Sequence, residues 1–544
     1  MKKFRLLQAA TLFLLLLLSG QTLAAQPVRV GLYYNSVSRT HAVLTSASLS
    51  NQDGLDVSLL LAEPVLLPLI YAQAEVAPLS GRNMVQFAAG RTADEALAAA
   101  REARGRGLNA FLVYRADATA FPYKAWAEGI PAVIGALGYP GAFAADTQGD
   151  LLLLNPSGTE PGVIIDGRLG LGLAPRGGRP TRVAAAPGQF TRNYEGSFEL
   201  SVSNGRLAVV NVLNMESYVA GVVPFEMSDS WPLEALKAQA VAARSYAAVN
   251  RNKHRALRFD LCDSPACCQK YAGFDERFVN SRRAVSETAG RLARFNGRPA
   301  ELFYHSSSGG HTENSEDVWT NAVSYARAVA DPLSIAEQLI THLLSRFNNN
   351  TEFPARWQRT WRREELEMVL RQTERLDVGT ILAISSQGRS AGGRHAALVV
   401  RGTAGEAAIE RNRIRPAFSL IRQNPQGGEV RESLPSTLFE IVPLHQTVSV
   451  AGADGAVHEI PVSEAVYVAT QEGARPLASS APEVHLRGVS SARAVSGVPA
   501  GFTFNGRGWG HGVGMSQWGA FEKARRGLTY EQILNFYFQG ITIE

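Results

Sequence analysis

Apolar and polar positions along the chain sort into two regimes. From Leu207 to Leu213 they form a short, nearly continuous apolar run, the pattern of a strand covered on both faces. After Pro232 the regime changes: Leu233, Leu236, Ala240, Ala243 and Ala247 recur at helical spacing, predicting one helix up to Asn250 with a closely packing apolar face. Ser228, Asp229 and Ser230 are residues of the helix-capping kind, and Pro232 suits a first turn. Upstream, Val28–Tyr34 and Leu55–Leu61 read as strands. Met84–Ala88 and Leu108–Val113 read as strands flanking an Ala-rich helix over Thr92–Arg104, capped by Thr92 and stopped by Gly105 and Gly107. Between Leu151 and Pro187 short apolar strands alternate with Pro/Gly-rich turns such as Pro175–Pro180, which reads as a linker. A β-rich domain begins near Phe190.

Beyond Pro332 the pattern is helical to about Leu376, with Leu339, Ile340, Leu343 and Leu344 as the apolar face. Residues 378–425 and 437–500 read as short strands, and Tyr530–Tyr537 as a last helix. The expected class is α+β: a mixed, β-rich core domain over residues 193–544 with a few helices, a divergent β-rich part at about 378–500, a linker at 151–192 and an N-terminal αβ region at 26–150.

Residues 1–25 read as a leader. Lys2, Lys3 and Arg5 precede an apolar stretch from Leu6 to Leu18, and small residues follow at Ala24 and Ala25, so cleavage and export are expected. The apolar stretch is short for a membrane span. The formal charge is +5 over 544 residues, and +2 without the leader's three cations, too small to argue for nucleic acid. Three cysteines, Cys262, Cys267 and Cys268, exclude a disulfide framework. Together with His254 they can supply a tetrahedral, structural zinc site; one disulfide plus a spare thiol is the competing reading.

Lys237 and Arg244 lie two turns apart on one flank of the predicted helix, able to face the same point. Glu226 precedes that helix, among apolar Val222, Val223 and Phe225; read from its neighbours alone it is a carboxylate at a helix start. In Tyr304–Gly310, adjacent His305 and Ser306 point to opposite faces of a strand and cannot act as a nucleophile pair, whereas His305 and Ser307 can share a face. Gly506–Gly519 brings Trp509, His511, Gln517 and Trp518 into a glycine-rich loop that can approach a ligand closely. No His-Glu-x-x-His is present, which argues against a zinc peptidase.

The strand, Glu226-Met227, Trp231-Pro232 and Glu234–Tyr246, followed by Phe259–Cys262, Gln269–Gly273, Tyr304–Gly310 and Gly506–Ala520, resemble the motifs of the SpoIID/LytB family (stage II sporulation protein D and amidase enhancer) in their order. The resemblance runs from about Tyr194 to the end with a divergent piece in the middle. It implies a lytic transglycosylase acting on peptide-stripped peptidoglycan strands, with Glu226 as general acid/base. It also implies a glycan-binding cleft drawing on Lys237, Gln239, Arg244, His305, Ser307, Ser308, His511 and Gln517. The same family name covers a non-catalytic role, a wall-binding protein that enhances an amidase partner. The strand–helix–strand unit at 84–113 is similar to half of a SPOR domain, which binds stripped glycan strands; a matching second half around Tyr123–Phe143 is not evident.

Overall fold

The computed structural model describes residues 27–33, 45–115, 120–185, 190–203, 205–332, 356–423, 429–444, 447–451, 457–461, 467–470, 473–476, 483–487, 492–496 and 498–544. The expected leader and the helical face at Leu339–Leu344 lie outside these residues. The fold is α+β and strand-rich, with 24% helix and 39% strand. Two compact units are present. The first is Met1–Ala293 with Pro299–Glu301 and Glu544, and the second is Arg294–Arg298 with Leu302–Ile543.

The first unit is built on one fifteen-stranded sheet. Its elements run β1 Val28–Tyr33, β2 Ala47–Leu59, β3 Val65–Pro78, β4 Met84–Gly90, α1 Ala93–Gly105, β5 Ala110–Tyr114, β6 Tyr123–Glu128, α2 Pro131–Ala136 and β7 Phe143–Ala144. Next come β8 Leu151–Pro156, β9 Gly162–Asp166, β10 Leu171–Pro175, β11 Thr181–Ala185, β12 Phe190–Tyr194, β13 Ser197–Ser203 and β14 Arg206–Leu213. The helices α3 Met215–Ala220, α4 Val223–Glu226, α5 Leu233–Val249 and α6 Val279–Glu287 follow. The apolar run in β14 is explained by its place: β1 and β13 pair on its two sides, and Leu207, Val209 and Val210 are buried. Helix α5 is buried nearly all round, because a face of alanines lets neighbouring backbones come close.

The order β4–α1–β5–β6–α2–β7, with the strands side by side as β5-β6-β4-β7, is the split βαβ arrangement, so the second half that the sequence hides is present. It escapes a periodicity search because α2 has six residues and β7 two. Thr92 caps α1 as expected, its side chain accepting from the Glu95 amide. The module is not free-standing. Its edge strand β5 pairs with β9, and the sheet face away from its helices is buried: Met84, Phe111, Val113 and Trp126 pack against Leu79, Leu151, Leu153 and Ile164.

The stretch expected as a linker at 151–192 instead holds β8 to β12, all within the large sheet. Its glycines and prolines punctuate short strands whose apolar residues, such as Leu152, Leu154 and Val163, are fully buried, so the segment is core. The division into units falls at 294–302, not near 192.

In the second unit the antiparallel strands Trp357–Arg362, Gly501–Gly506 and Phe439–Leu444 form one sheet, and Ile381–Ser386, Ala397–Gly402 and Gly405–Glu410 a second. A core of Trp361, Leu370, Phe418, Phe439 and Phe504 fills the space between these strands and the helix Arg363–Glu374. Tyr304–His305 pairs in parallel with Met515–Ser516, which joins two of the sequence motifs.

Candidate functional site

Glu226 closes the single turn of α4. Val222 and Val223 anchor that turn in the core, while Phe225 and Glu226 stay half-buried. Phe225 meets Phe278 edge to face at 5.4 Å. The Glu226 Oε1 accepts the Lys270 backbone N–H at 2.8 Å, which fixes the carboxylate's orientation from a loop 44 residues away in the chain. Glu226 therefore sits at the end of its own short helix, not at the start of α5, whose N-cap is Pro232 without a side-chain bond. Asp229, read as a cap for α5, serves α6 instead: its two carboxylate oxygens accept the amides of Ser281 at 2.7 Å and Asn280 at 3.3 Å.

Contrary to the expectation from their spacing, Lys237 and Arg244 do not face a common ligand. Arg244 is fully buried, its Nε 2.9 Å and Nη2 2.5 Å from the two oxygens of Glu216, with further bonds to the carbonyls of Arg291 and Val285. Glu216 also accepts the Gly290 amide. A guanidinium enclosed in this way cross-links α3, α5 and the end of α6, and has no route to a glycan. Gln239 is likewise fully buried within α5. Lys237 lies between Glu234 at 2.8 Å and Glu287 at 2.7 Å; burial opposes its charge, but the two carboxylates hold its pKa above the ordinary value. The sequence missed Glu216 and Glu287, because an acid that closes a buried pair is indistinguishable from a surface acid until the helices pack.

The cysteines converge. His254, Cys262, Cys267 and Cys268 offer ligand atoms that all lie within 4.8 Å of one another, and none of the three thiols is in a disulfide. The Cys267 and Cys268 sulfurs are each 3.4 Å from His254 Nε2. A tetrahedral zinc with Zn–S and Zn–N bonds of about 2.3 and 2.0 Å separates its ligands by roughly 3.6 Å, so the four residues fit that ion. The Cys262 amide donates to the Cys268 sulfur at 3.4 Å, and β1 pairs with Leu261–Cys262, which ties the cluster to the sheet.

The remaining candidates lie in the second unit. His305 is buried, with Nδ1 3.1 Å from the Val513 carbonyl and no hydrogen-bond partner for Nε2 among the described residues. Its ring meets His511 at 5.5 Å, and His511 meets Trp319 at 5.0 Å. Burial, then the neighbouring charges, push the pKa of His305 well below its ordinary value and that of His511 down to about 3, so both rings are neutral at pH 7. Ser307 and Ser308 are buried. Ser307 exchanges backbone bonds with Trp509, and the Ser308 hydroxyl donates to the Asp331 carbonyl. Gln517 begins the helix Gln517–Arg525, which Ser516 caps.

Closeness of packing, not approach of a ligand, accounts for two glycines of the loop. A Cβ on Gly510 would lie 2.7 Å from His305 Cβ, and one on Gly512 2.6 Å from Arg394 Nε. Arg394 and Glu313, which belong to none of the sequence motifs, are buried together with Nε and Oε1 3.6 Å apart. Arg394 Nη2 donates to the Ser308 carbonyl at 2.8 Å, and the Glu313 amide to the Gly512 carbonyl at 2.8 Å. The pair thus fixes both motif loops from outside either motif. The only sequence signal is an arginine set directly after Gly392-Gly393.

Residues 203–295 match the family described as Stage II sporulation protein (SpoIID), and residues 313–455 match a domain of unknown function (DUF8618). The first of these matches makes residues 203–295 similar to the SpoIID domain. Among relatives, the amidase enhancer of Bacillus subtilis is 27% identical over 59% of this chain and 40% of its own length. Stage II sporulation protein D of Bacillus subtilis is 33% identical over 23% of this chain and 40% of its own length. An uncharacterised protein of Brachyspira hyodysenteriae is 29% identical over 65% of this chain and 74% of its own. The chain thus spans well under half the length of the two Bacillus subtilis relatives.

Proposed function

We propose that this protein works on the bacterial cell wall as an exported lytic transglycosylase that cleaves glycan strands of peptidoglycan, with Glu226 as its acid and base. The observation that carries this reading is a half-exposed carboxylate, oriented by the Lys270 amide, within the segment that matches the SpoIID family. One carboxyl group suffices for such chemistry. As an acid it protonates the oxygen of the MurNAc–GlcNAc bond. As a carboxylate it then takes the proton of the muramic C6 hydroxyl, whose oxygen closes on C1 to give a 1,6-anhydro end. A hydrolase would call for a second carboxylate to activate water. Arg244 supports the site from beneath by holding α3 and α5 together, and Lys237 stays bound to its two acids.

We assign His254, Cys262, Cys267 and Cys268 to a structural zinc ion, which would fasten the loop after β1's partner strand to the sheet. Export follows from the leader at residues 1–25; among the described residues no helix is long and apolar enough to cross a membrane. The test is digestion of purified glycan strands followed by mass spectrometry. Wild type yields 1,6-anhydro ends, and Glu226→Gln yields none.

A second reading, a non-catalytic wall binder that enhances an amidase, is favoured by the relative named amidase enhancer. It wins if wild type leaves strands intact yet raises the turnover of an added amidase.

A further inference from the structure

Glu226 takes its orientation from the Lys270 amide, and the residues on either side of Lys270 are buried anchors. Gln269 and Tyr271 are each 1% exposed, while Lys270 itself is exposed. The Tyr271 hydroxyl donates to Asn211 Oδ1 of β14 at 2.6 Å, and the Ala272 amide to the Gly221 carbonyl at 3.1 Å. Gly221 lies between α3 and α4, where a Cβ would come within 2.4 Å of the Tyr271 ring. The segment is thus pressed against the turn that leads into α4.

Gln269 adds the contacts that refer this segment to the helices. Its Nε2 donates to the Tyr218 hydroxyl of α3 and to the Ala243 carbonyl of α5, each at 3.2 Å. The carbonyl can only accept, which fixes the amide nitrogen on that side, and the NH2 group has a proton for each acceptor. α3 and α5 are the helices before and after α4 in the chain. One buried amide therefore ties the loop to both neighbours of the short turn that ends at Glu226. α4 has four residues, too few for cooperative helix formation to hold its end in place. Its carboxylate needs an outside reference.

We propose that Gln269 is a positioning residue for the acid: by bonding α3 and α5 at once it sets the Lys270 amide against the Glu226 carboxylate. The inference rests on the transglycosylase reading above and adds to it the side chain that keeps the acid in place. Gln269 is buried and touches no substrate.

The test uses the full chain and two readouts. The first, which needs no activity, is hydrogen exchange of single amides, resolved by fragmenting the peptide that carries them. Glu226→Ala removes the acceptor and should speed exchange at Lys270 by about tenfold, the scale of one hydrogen bond to a charged group. Gln269→Met keeps the length of the side chain, removes both donors and should give the same pattern, with the Tyr271 and Ala272 amides unchanged. Tyr218→Phe leaves the bond to Ala243 and should give a smaller change at Lys270; it decides the matter if Gln269→Met does not fold. The second readout is the rate of anhydro-end formation. Gln269→Met should lower kcat roughly 10- to 100-fold with KM unchanged, because the displaced group is the acid and not a substrate contact.

No response at Lys270 in the folded variants, or equal acceleration at Lys270, Tyr271 and Ala272, overturns the proposal, as does a loss that falls on KM. If Lys270 responds as expected while wild type forms no anhydro ends, the positioning of Glu226 by Gln269 stands and the transglycosylase reading falls. Anhydro ends formed by Gln269→Met at the wild-type rate remove the positioning role and leave that reading in place.

Discussion

Arg244 of α5 and Glu216 of α3 form a two-point ion pair whose guanidinium has no exposed surface, while the carboxylate remains about one-third exposed. The asymmetry predicts which partner is harder to lose. Glu216→Ala strands a buried cation with only carbonyl oxygens around it and should lower stability by about 3 kcal/mol. Removing the arginine leaves a carboxylate that water can still reach, so Arg244→Met should cost less. Denaturant unfolding of both variants decides the matter, and equal losses would contradict the pair's role as a cross-link.

The cysteine cluster predicts a metal-dependent stability. Purified protein should hold about one zinc per chain by elemental analysis, with a melting temperature that falls on chelation. Cys268→Ser should lose the metal and most of the chelator response. An intact-mass deficit of two hydrogens with no metal present would favour a disulfide instead.

Three histidines in the second unit predict a response to acid. Burial pushes His511 down to about 3 and His395 down to about 4, and His305 well below its ordinary value. Each folded pKa lies below the unfolded value of about 6.5. The unfolded chain therefore binds more protons in between, and stability is complete above about pH 6.5 and drains away as pH falls toward 4 and 3. The slope is at most about 1.4 kcal/mol per pH unit for each histidine. Asp263 in the first unit, pushed up to about 7 by burial and by Cys262, acts in the opposite sense. The cleanest measurement compares unfolding of wild type and His395→Gln, followed by tryptophan fluorescence between pH 7 and 5. The variant should lose one histidine's share of the slope, and parallel curves would refute the assignment.

Gly512 and Gly527 share a φ of +88°, but a Cβ on Gly512 meets Arg394 at 2.6 Å while one on Gly527 meets nothing within 4 Å. Alanine at either position incurs the backbone strain. Gly512→Ala should cost roughly 2 kcal/mol more than Gly527→Ala, because it also displaces the arginine that holds Ser308. Thermal melts of the two variants test this directly.

Local pattern carried a large part of the architecture. The β14 run, the α5 face, the Thr92 cap and the strand–helix–strand unit are all consequences of spacing and side-chain type within a dozen residues, and the motif series pointed to the SpoIID likeness that the match over residues 203–295 supports. What spacing could not carry is the identity of partners distant in sequence. Asp229 looks like a cap for the helix that follows it and caps another; Arg244 looks like a ligand for the cleft and is spent on Glu216; the apparent linker at 151–192 is core because its short strands find places in one sheet. A chain specifies its periodicities residue by residue, but burial, and with it the choice of charge partner, belongs to whichever surfaces meet when those elements pack.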